Sequence, residues 1–167
     1  MGTQTMSTTK IDFSKVSPVA QMAGADEEDG RLLASMLVEA RSYLSKHNWC
    51  GQVLEEYFGF GVGGLAAVFL FRIRPSKPSA DPLVWVVVGD VPPLYISTDN
   101  APNPACAMDA YLGAITHWAK AAIAGGPMKG MPPINAAPTK ENGQRLMGRI
   151  DFIDREILKP HSADLQP

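Results

Sequence analysis

The sequence has little of the features that most readily reveal a function: cysteine, an excess of charge of one sign, long hydrophobic runs and catalytic motifs. Its 167 residues include two cysteines, Cys50 and Cys106, which are too few for a disulfide framework, so we expect reduced thiols. Fifteen Lys and Arg stand against 17 Asp and Glu, a net charge of −2. Because no long basic block occurs either, we do not expect nucleic acid as a partner.

Long hydrophobic runs are missing as well. The longest nearly uncharged apolar stretch, residues 57–71, contains four glycines and is shorter than the ~20 residues that a membrane helix needs. We therefore predict no membrane segment. The first residues lack the hydrophobic core of a secretory signal, so we expect a cytoplasmic location.

Motifs of common catalytic chemistry are absent, including the nucleophile elbow, the metalloprotease helix and the phosphate-binding loop. His47 and Cys50 are three residues apart, but a zinc ion would need two further ligands and no second close pair follows. Cys106, near the start of a predicted helix, has the position of an activated thiol, although a small buried thiol is the favoured interpretation. His117 lies ~16 Å further along that helix, too far to act as its base. We predict no catalytic residue, metal ligand or cofactor, and the sequence favours a protein that is not an enzyme.

One glycine pattern needs a decision between two interpretations. Gly59, Gly61 and Gly64 fit the G-x-G-x-x-G spacing of a dinucleotide-binding loop, which requires a helix after the last glycine. The next residues are aromatic and β-branched and end at Pro75, which favours a strand. We therefore favour a hairpin in which Gly61, Gly63 and Gly64 take positive φ. The dinucleotide alternative stays open because Asp81 or Asp90 could serve as its acidic residue.

Periodicity along the chain predicts an α+β fold. We expect a flexible arm at residues 1–24, one domain at 25–159 and a flexible tail at 160–167. Helices are indicated by a stripe from Leu33 to His47, by Asn103 and Pro104 as a helix start, and by Thr139 as an N-cap before a last helix ending before Pro160. Strands are predicted at 52–60, 65–73, 83–88 and 94–97. The short links between them indicate a four-stranded antiparallel meander packed against three helices in two layers.

Two stretches carry a resemblance to a known family. VVVGDVPPLYISTDNAPNPACAMDAYLGAITHWAKA and PPINAAPTKENGQRLMGRIDFIDREIL, within residues 84–158, resemble the pattern of a family of small, uncharacterised bacterial proteins. That pattern runs from a V-V-V-G-D-x-P-P strand turn to an A-x-x-x-Y…W helix and a closing helix. The resemblance implies a bacterial, cytoplasmic protein, and it supplies no activity, cofactor or site residue.

Two hypotheses about function follow from the sequence. The first is a non-catalytic protein-interaction module, immunity- or adaptor-like, that binds another bacterial protein. The second is a small-molecule-binding protein or enzyme whose pocket lies between sheet and helices and uses Asp90, Tyr95, Asp99 and His117. The apolar excess on both faces of the predicted strands also predicts a homodimer, because a single helix layer covers one face of a sheet.

Overall fold

The structure, a computed structural model, describes residues 10–78 and 81–165. The helices are α1 (Glu27–Ser45), α2 (Pro104–Ala124) and α3 (Lys140–Ile153), and the strands are β1 (Ser17–Pro18), β2 (Gln52–Val62), β3 (Ala66–Arg74), β4 (Leu83–Gly89) and β5 (Val91–Ser97). A π-helical turn, Asp154–Leu158, and a 3₁₀ segment, Lys159–Leu165, follow α3. Within the described residues, no helix is long and apolar enough to span a membrane.

The strands form one antiparallel sheet in the order β1-β2-β3-β4-β5. The predicted α+β meander is therefore confirmed, but the sheet has five strands where the sequence predicted four. The additional strand, β1, consists of Ser17 and Pro18, which pair with Phe58 and Tyr57 of β2. A strand of two residues carries no alternating pattern, so periodicity could not reveal it.

Helices cover both faces of the sheet, so the predicted two-layer arrangement is wrong and the domain has three layers. The side chains of β3 alternate between the two faces. Ala67, Phe69 and Phe71 pack in the core beneath α1, whereas Val68 and Leu70 belong to the core beneath α2 and α3. Since apolar side chains point to both sides of β3, each face needs a helical cover, and α1 supplies the second one.

The β2–β3 connection is the predicted hairpin, and the element directly after Gly64 is the strand β3 and not a helix. Of the three glycines expected to take positive φ, only Gly64 does, at +81°, so that expectation is wrong for Gly61 and Gly63. These two positions exclude a side chain for another reason, which is close approach. A Cβ on Gly61 would lie 2.5 Å from Ala67 Cβ, and a Cβ on Gly63 would lie 2.7 Å from Leu32 Cβ.

Chain segments on either side of the predicted domain, residues 25–159, also make contacts with it. In the predicted arm at 1–24, Ile11 is buried and the Asp12 amide donates to the Pro102 carbonyl at 2.8 Å. In the predicted tail at 160–167, the His161 ring stacks on Phe60 with centroids 4.1 Å apart. Neither segment has a periodic pattern, because both lie along the domain as short turns. Residues 1–9 and 166–167 lie outside the described residues.

Candidate functional site

The four residues predicted to line one pocket occupy separate places. Asp90 follows β4 and lies in a groove beside α3, whereas Tyr95 lines a cavity on the opposite, α1-covered face of the sheet. Asp99 is exposed in the turn after β5, where its amide donates to Ser97 Oγ at 3.1 Å. His117 is exposed on α2. The fold therefore does not bring these four side chains together into one site.

A groove runs between the β4–β5 turn and α3, and we call it the α3 groove. It is a cavity of about 230 Å³ lined by Leu65, Asp90, Val91, Arg145, Gly148, Arg149, Phe152 and Ile153. Val91 and Ile153 are buried at its floor, while 40% of Phe152 is exposed at its rim. The walls are mostly apolar, and the polar groups are two arginines and one carboxylate.

The position of α3 is fixed by its first turn. Thr139 caps the helix, since its Oγ1 accepts from the Asn142 amide at 3.1 Å, as the sequence predicted. One turn later, Gly143 allows a close approach to α2, because a Cβ there would lie 2.8 Å from the Ala119 carbonyl oxygen. The stripe of Leu146, Ile150 and Ile153 is buried against the sheet and α2. Arg145, Arg149 and Phe152, spaced by four and three residues, then share the face that borders the groove.

The charges of the α3 groove are only partly compensated. Arg149 Nε lies 3.1 Å from Asp90 Oδ2, and both side chains are substantially exposed, so this pair adds little stability. Arg145 forms no salt bridge with any residue that the structure describes. The Arg155 guanidinium lies 5.6 Å from the centroid of the Phe152 ring. The groove therefore presents an apolar surface with positive charge at its edge.

The cysteines show no sign of activation. Cys106 lies in the first turn of α2, where its amide is capped by Asn103 Oδ1 at 2.9 Å and its thiol donates to the Asp164 carbonyl at 3.5 Å. Burial, and secondarily the charge of Asp109, raises the pKa of the Cys106 thiol. Burial also raises the pKa of Cys50. Among the described residues, no group of three or more His, Cys, Asp or Glu could hold a metal ion.

Sequence reasoning found Asp90 but missed the other side chains of the α3 groove. A signal was present: Phe152 is a large apolar residue outside the stripe that α3 buries, in an otherwise polar helix face. Such a residue indicates either an exposed contact surface or a second packing partner. Arg145 gave no signal, since an arginine on an exposed helix face is ordinary.

Comparison with other proteins gives no relative from which a role could be transferred. No model of a protein family, no curated protein and no solved structure matches the chain. The resemblance of residues 84–158 to small bacterial proteins therefore stays a prediction. Function has to be inferred from the chemistry of the surfaces.

Proposed function

We propose that the protein is a non-catalytic interaction module, immunity- or adaptor-like, that binds another bacterial protein through the α3 groove. The observation that supports this proposal is the exposed Phe152 ring beside an apolar cavity with two arginines at its edge. Aromatic residues and arginine are the types most enriched where proteins bind one another. The partner would insert an apolar side chain into the groove.

The charges indicate which partner segment the α3 groove would accept. Because Arg145 has no salt bridge among the described residues, a carboxylate of the partner could pair with it without displacing an internal partner. Arg149 is already paired with Asp90, so it would gain less. We therefore expect an acidic segment that carries one or two apolar anchors.

The alternative function, a small-molecule-binding protein or enzyme, was based on one pocket shared by four side chains, and these side chains lie in separate places. Asp90 and Tyr95 line different cavities, and Asp99 and His117 are exposed. If the chain forms the homodimer expected from its sequence, the α3 groove is the surface that we propose a second copy would occupy.

The proposal is tested by purifying a tagged chain, with its bound partners, from its native cells after brief cross-linking. Arg145→Glu reverses the charge that would pair with a carboxylate of the partner. Phe152→Ala removes the exposed aromatic ring beside the α3 groove. Each should reduce recovery of a specific partner by about tenfold, the loss of roughly 1.4 kcal/mol. The expected cross-links join the partner to α3 and the β4–β5 turn.

The matched control is Arg31→Glu, the same charge change on α1, which covers the other face of the sheet. Arg31 is well exposed, and the 3.9 Å distance from its guanidinium to Glu28 makes their ion pair a weak one. Its replacement should therefore leave stability almost unchanged. A partner recovered equally by all variants would show that the α3 groove is not the binding surface. Circular dichroism and the melting temperature of each variant separate loss of binding from loss of fold.

A further inference from the structure

A second cavity lies on the other face of the sheet, where the end of α1 meets β5, and we call it the Trp49–Tyr95 pocket. It has a volume of about 200 Å³ and is lined by Trp49, Asp81, Leu83, Val84, Tyr95 and Ser97. The Trp49 and Tyr95 rings have centroids 4.9 Å apart and planes inclined by 65°. Two ring surfaces therefore form a corner, and a carboxylate stands at the same cavity.

The corner is held in place from behind by two further rings. The His47 ring lies 5.1 Å from Trp49 and 5.2 Å from Tyr95, and Tyr43 packs on His47 at 4.8 Å. The Tyr95 amide donates to Tyr43 Oη at 3.1 Å, which ties β5 to α1. His47 Nδ1 lies 3.0 Å from the Tyr43 carbonyl, and because a carbonyl only accepts, that nitrogen carries the hydrogen. These contacts fix the two rings before any ligand arrives.

The carboxylate of Asp81 is also fixed. Its Oδ1 accepts from the Leu83 amide at 3.0 Å and its Oδ2 accepts from Thr98 Oγ1 at 2.9 Å. No lysine or arginine of the described residues forms a salt bridge with it. Asp81 therefore keeps an uncompensated negative charge beside two aromatic rings.

We propose that the Trp49–Tyr95 pocket binds an alkylated ammonium group. The negative faces of indole and phenol rings attract a cation whose charge is spread over methyl groups, and such a cation loses little hydration on entry. Leu83 and Val84 offer apolar contact to the methyl groups, and Asp81 supplies the opposite charge with no salt bridge among the described residues that the ligand would have to break. The group can come from a free small molecule or from a methylated lysine of a peptide.

The test uses choline as the probe and its uncharged isostere, 3,3-dimethyl-1-butanol, as the matched control ligand. Trp49 is half-buried whereas Trp85 and Trp118 are 0% and 3% exposed, so tryptophan fluorescence reports mainly on this pocket. Choline should change the fluorescence saturably, and the isostere should bind about tenfold more weakly, because it lacks the charge. A peptide with trimethyllysine, compared with the same peptide carrying unmodified lysine, tests the second source.

Variants of the pocket make the outcome decisive. Tyr95→Leu removes a ring and Asp81→Asn removes the charge, and each should weaken binding about tenfold, whereas Tyr95→Phe keeps the ring and should bind like the wild type. Choline binding alone assigns the site to small molecules, and binding of the methylated peptide alone assigns it to lysine side chains. The proposal is overturned if neither probe binds at millimolar concentration, if choline and its isostere bind equally, or if Tyr95→Leu and Asp81→Asn bind as well as the wild type.

Discussion

Among single residues, Tyr111 connects α2 directly to the sheet. It is fully buried on α2, and its hydroxyl donates to the Pro92 carbonyl of β5 at 2.6 Å. Burial strongly raises the pKa of this phenol, because a phenolate there would lose its hydration. The neutral phenol therefore belongs to the folded state, which makes stability sensitive to alkaline pH.

For Tyr111 the sign of the pH effect follows from linkage. The folded pKa lies above the unfolded value of about 10, so the contribution to stability is complete below pH ~10 and is lost as the pH rises further. Tyr111→Phe lacks the titrating hydroxyl, so this loss should be absent. Above pH ~10 its unfolding free energy should therefore fall less steeply than that of the wild type, by roughly 1.4 kcal/mol per pH unit. At neutral pH the variant should be less stable by about 1 kcal/mol, since the hydrogen bond is gone.

Urea unfolding of wild type and Tyr111→Phe over the alkaline range measures this difference. Burial also raises the pKa of Tyr43, so some slope should persist in the variant. Tyr43→Phe is the comparison that isolates that share. Parallel curves for wild type and Tyr111→Phe would contradict a buried neutral phenol.

Cys106 is expected to react slowly despite its place at the start of α2. Its burial and the nearby Asp109 raise the pKa of the thiol, so the thiolate fraction at neutral pH is small. A thiol reagent should therefore label folded Cys106 more slowly than free cysteine, and at the ordinary rate once the chain is unfolded. Rapid labelling of the folded protein that disappears in Cys106→Ser would instead indicate an activated thiol and strengthen the enzyme hypothesis.

Among the elements, α3 shows how packing decides the effect of a glycine. Gly143 and Gly148 both weaken an isolated helix by about 1 kcal/mol relative to alanine. At Gly148 an added Cβ meets nothing within 4 Å, whereas at Gly143 it would lie 2.8 Å from both the Ala119 carbonyl and Ile123 Cγ1. The same substitution should therefore act in opposite directions at the two positions.

Gly148→Ala should raise the unfolding free energy by about 0.5–1 kcal/mol through helix propensity and reduced freedom of the unfolded chain. Gly143→Ala should lower it by about 1–3 kcal/mol, because α2 and α3 must move apart. Chemical unfolding of the two variants measures the difference. If Gly143→Ala stabilised the protein as much as Gly148→Ala, the contact between α2 and α3 would have to accommodate the added methyl group without cost.

Local signals predicted the helices well and the layers poorly. Asn103 and Gly125 mark the ends of α2 through hydrogen bonds to residues of the adjacent turn, and Pro104 occupies the first helical position, so the sequence contains the necessary information. Which face α1 covers depends on distant contacts, such as the Arg41 guanidinium with Glu56 of β2 at 2.6 Å. The same holds for both candidate sites, since Asp90 meets Arg149 and Trp49 meets Tyr95 only in the folded chain.

At the scale of the whole molecule, the β5 edge of the sheet is protected against pairing with another chain. β5 is an edge strand that pairs with β4 alone. The Tyr95 amide points outward and is taken by Tyr43 Oη, and Pro93, two residues earlier, has no amide hydrogen to offer. The sequence placed this strand at 94–97, but it begins at Val91 and includes both prolines, at a bulge in the β4–β5 pairing.

The oligomeric state is therefore expected to differ from the homodimer predicted from the sequence. That prediction assumed an uncovered sheet face, whereas α1 covers one face and α2 with α3 covers the other. The β5 edge offers few donors, and the α3 groove is an exposed apolar surface on which a second copy could pack. Light scattering at micromolar concentration should give the 18.0 kDa mass of one chain. A mass of two chains that reverts to one in Phe152→Ala would restore the homodimer and identify the α3 groove as its interface.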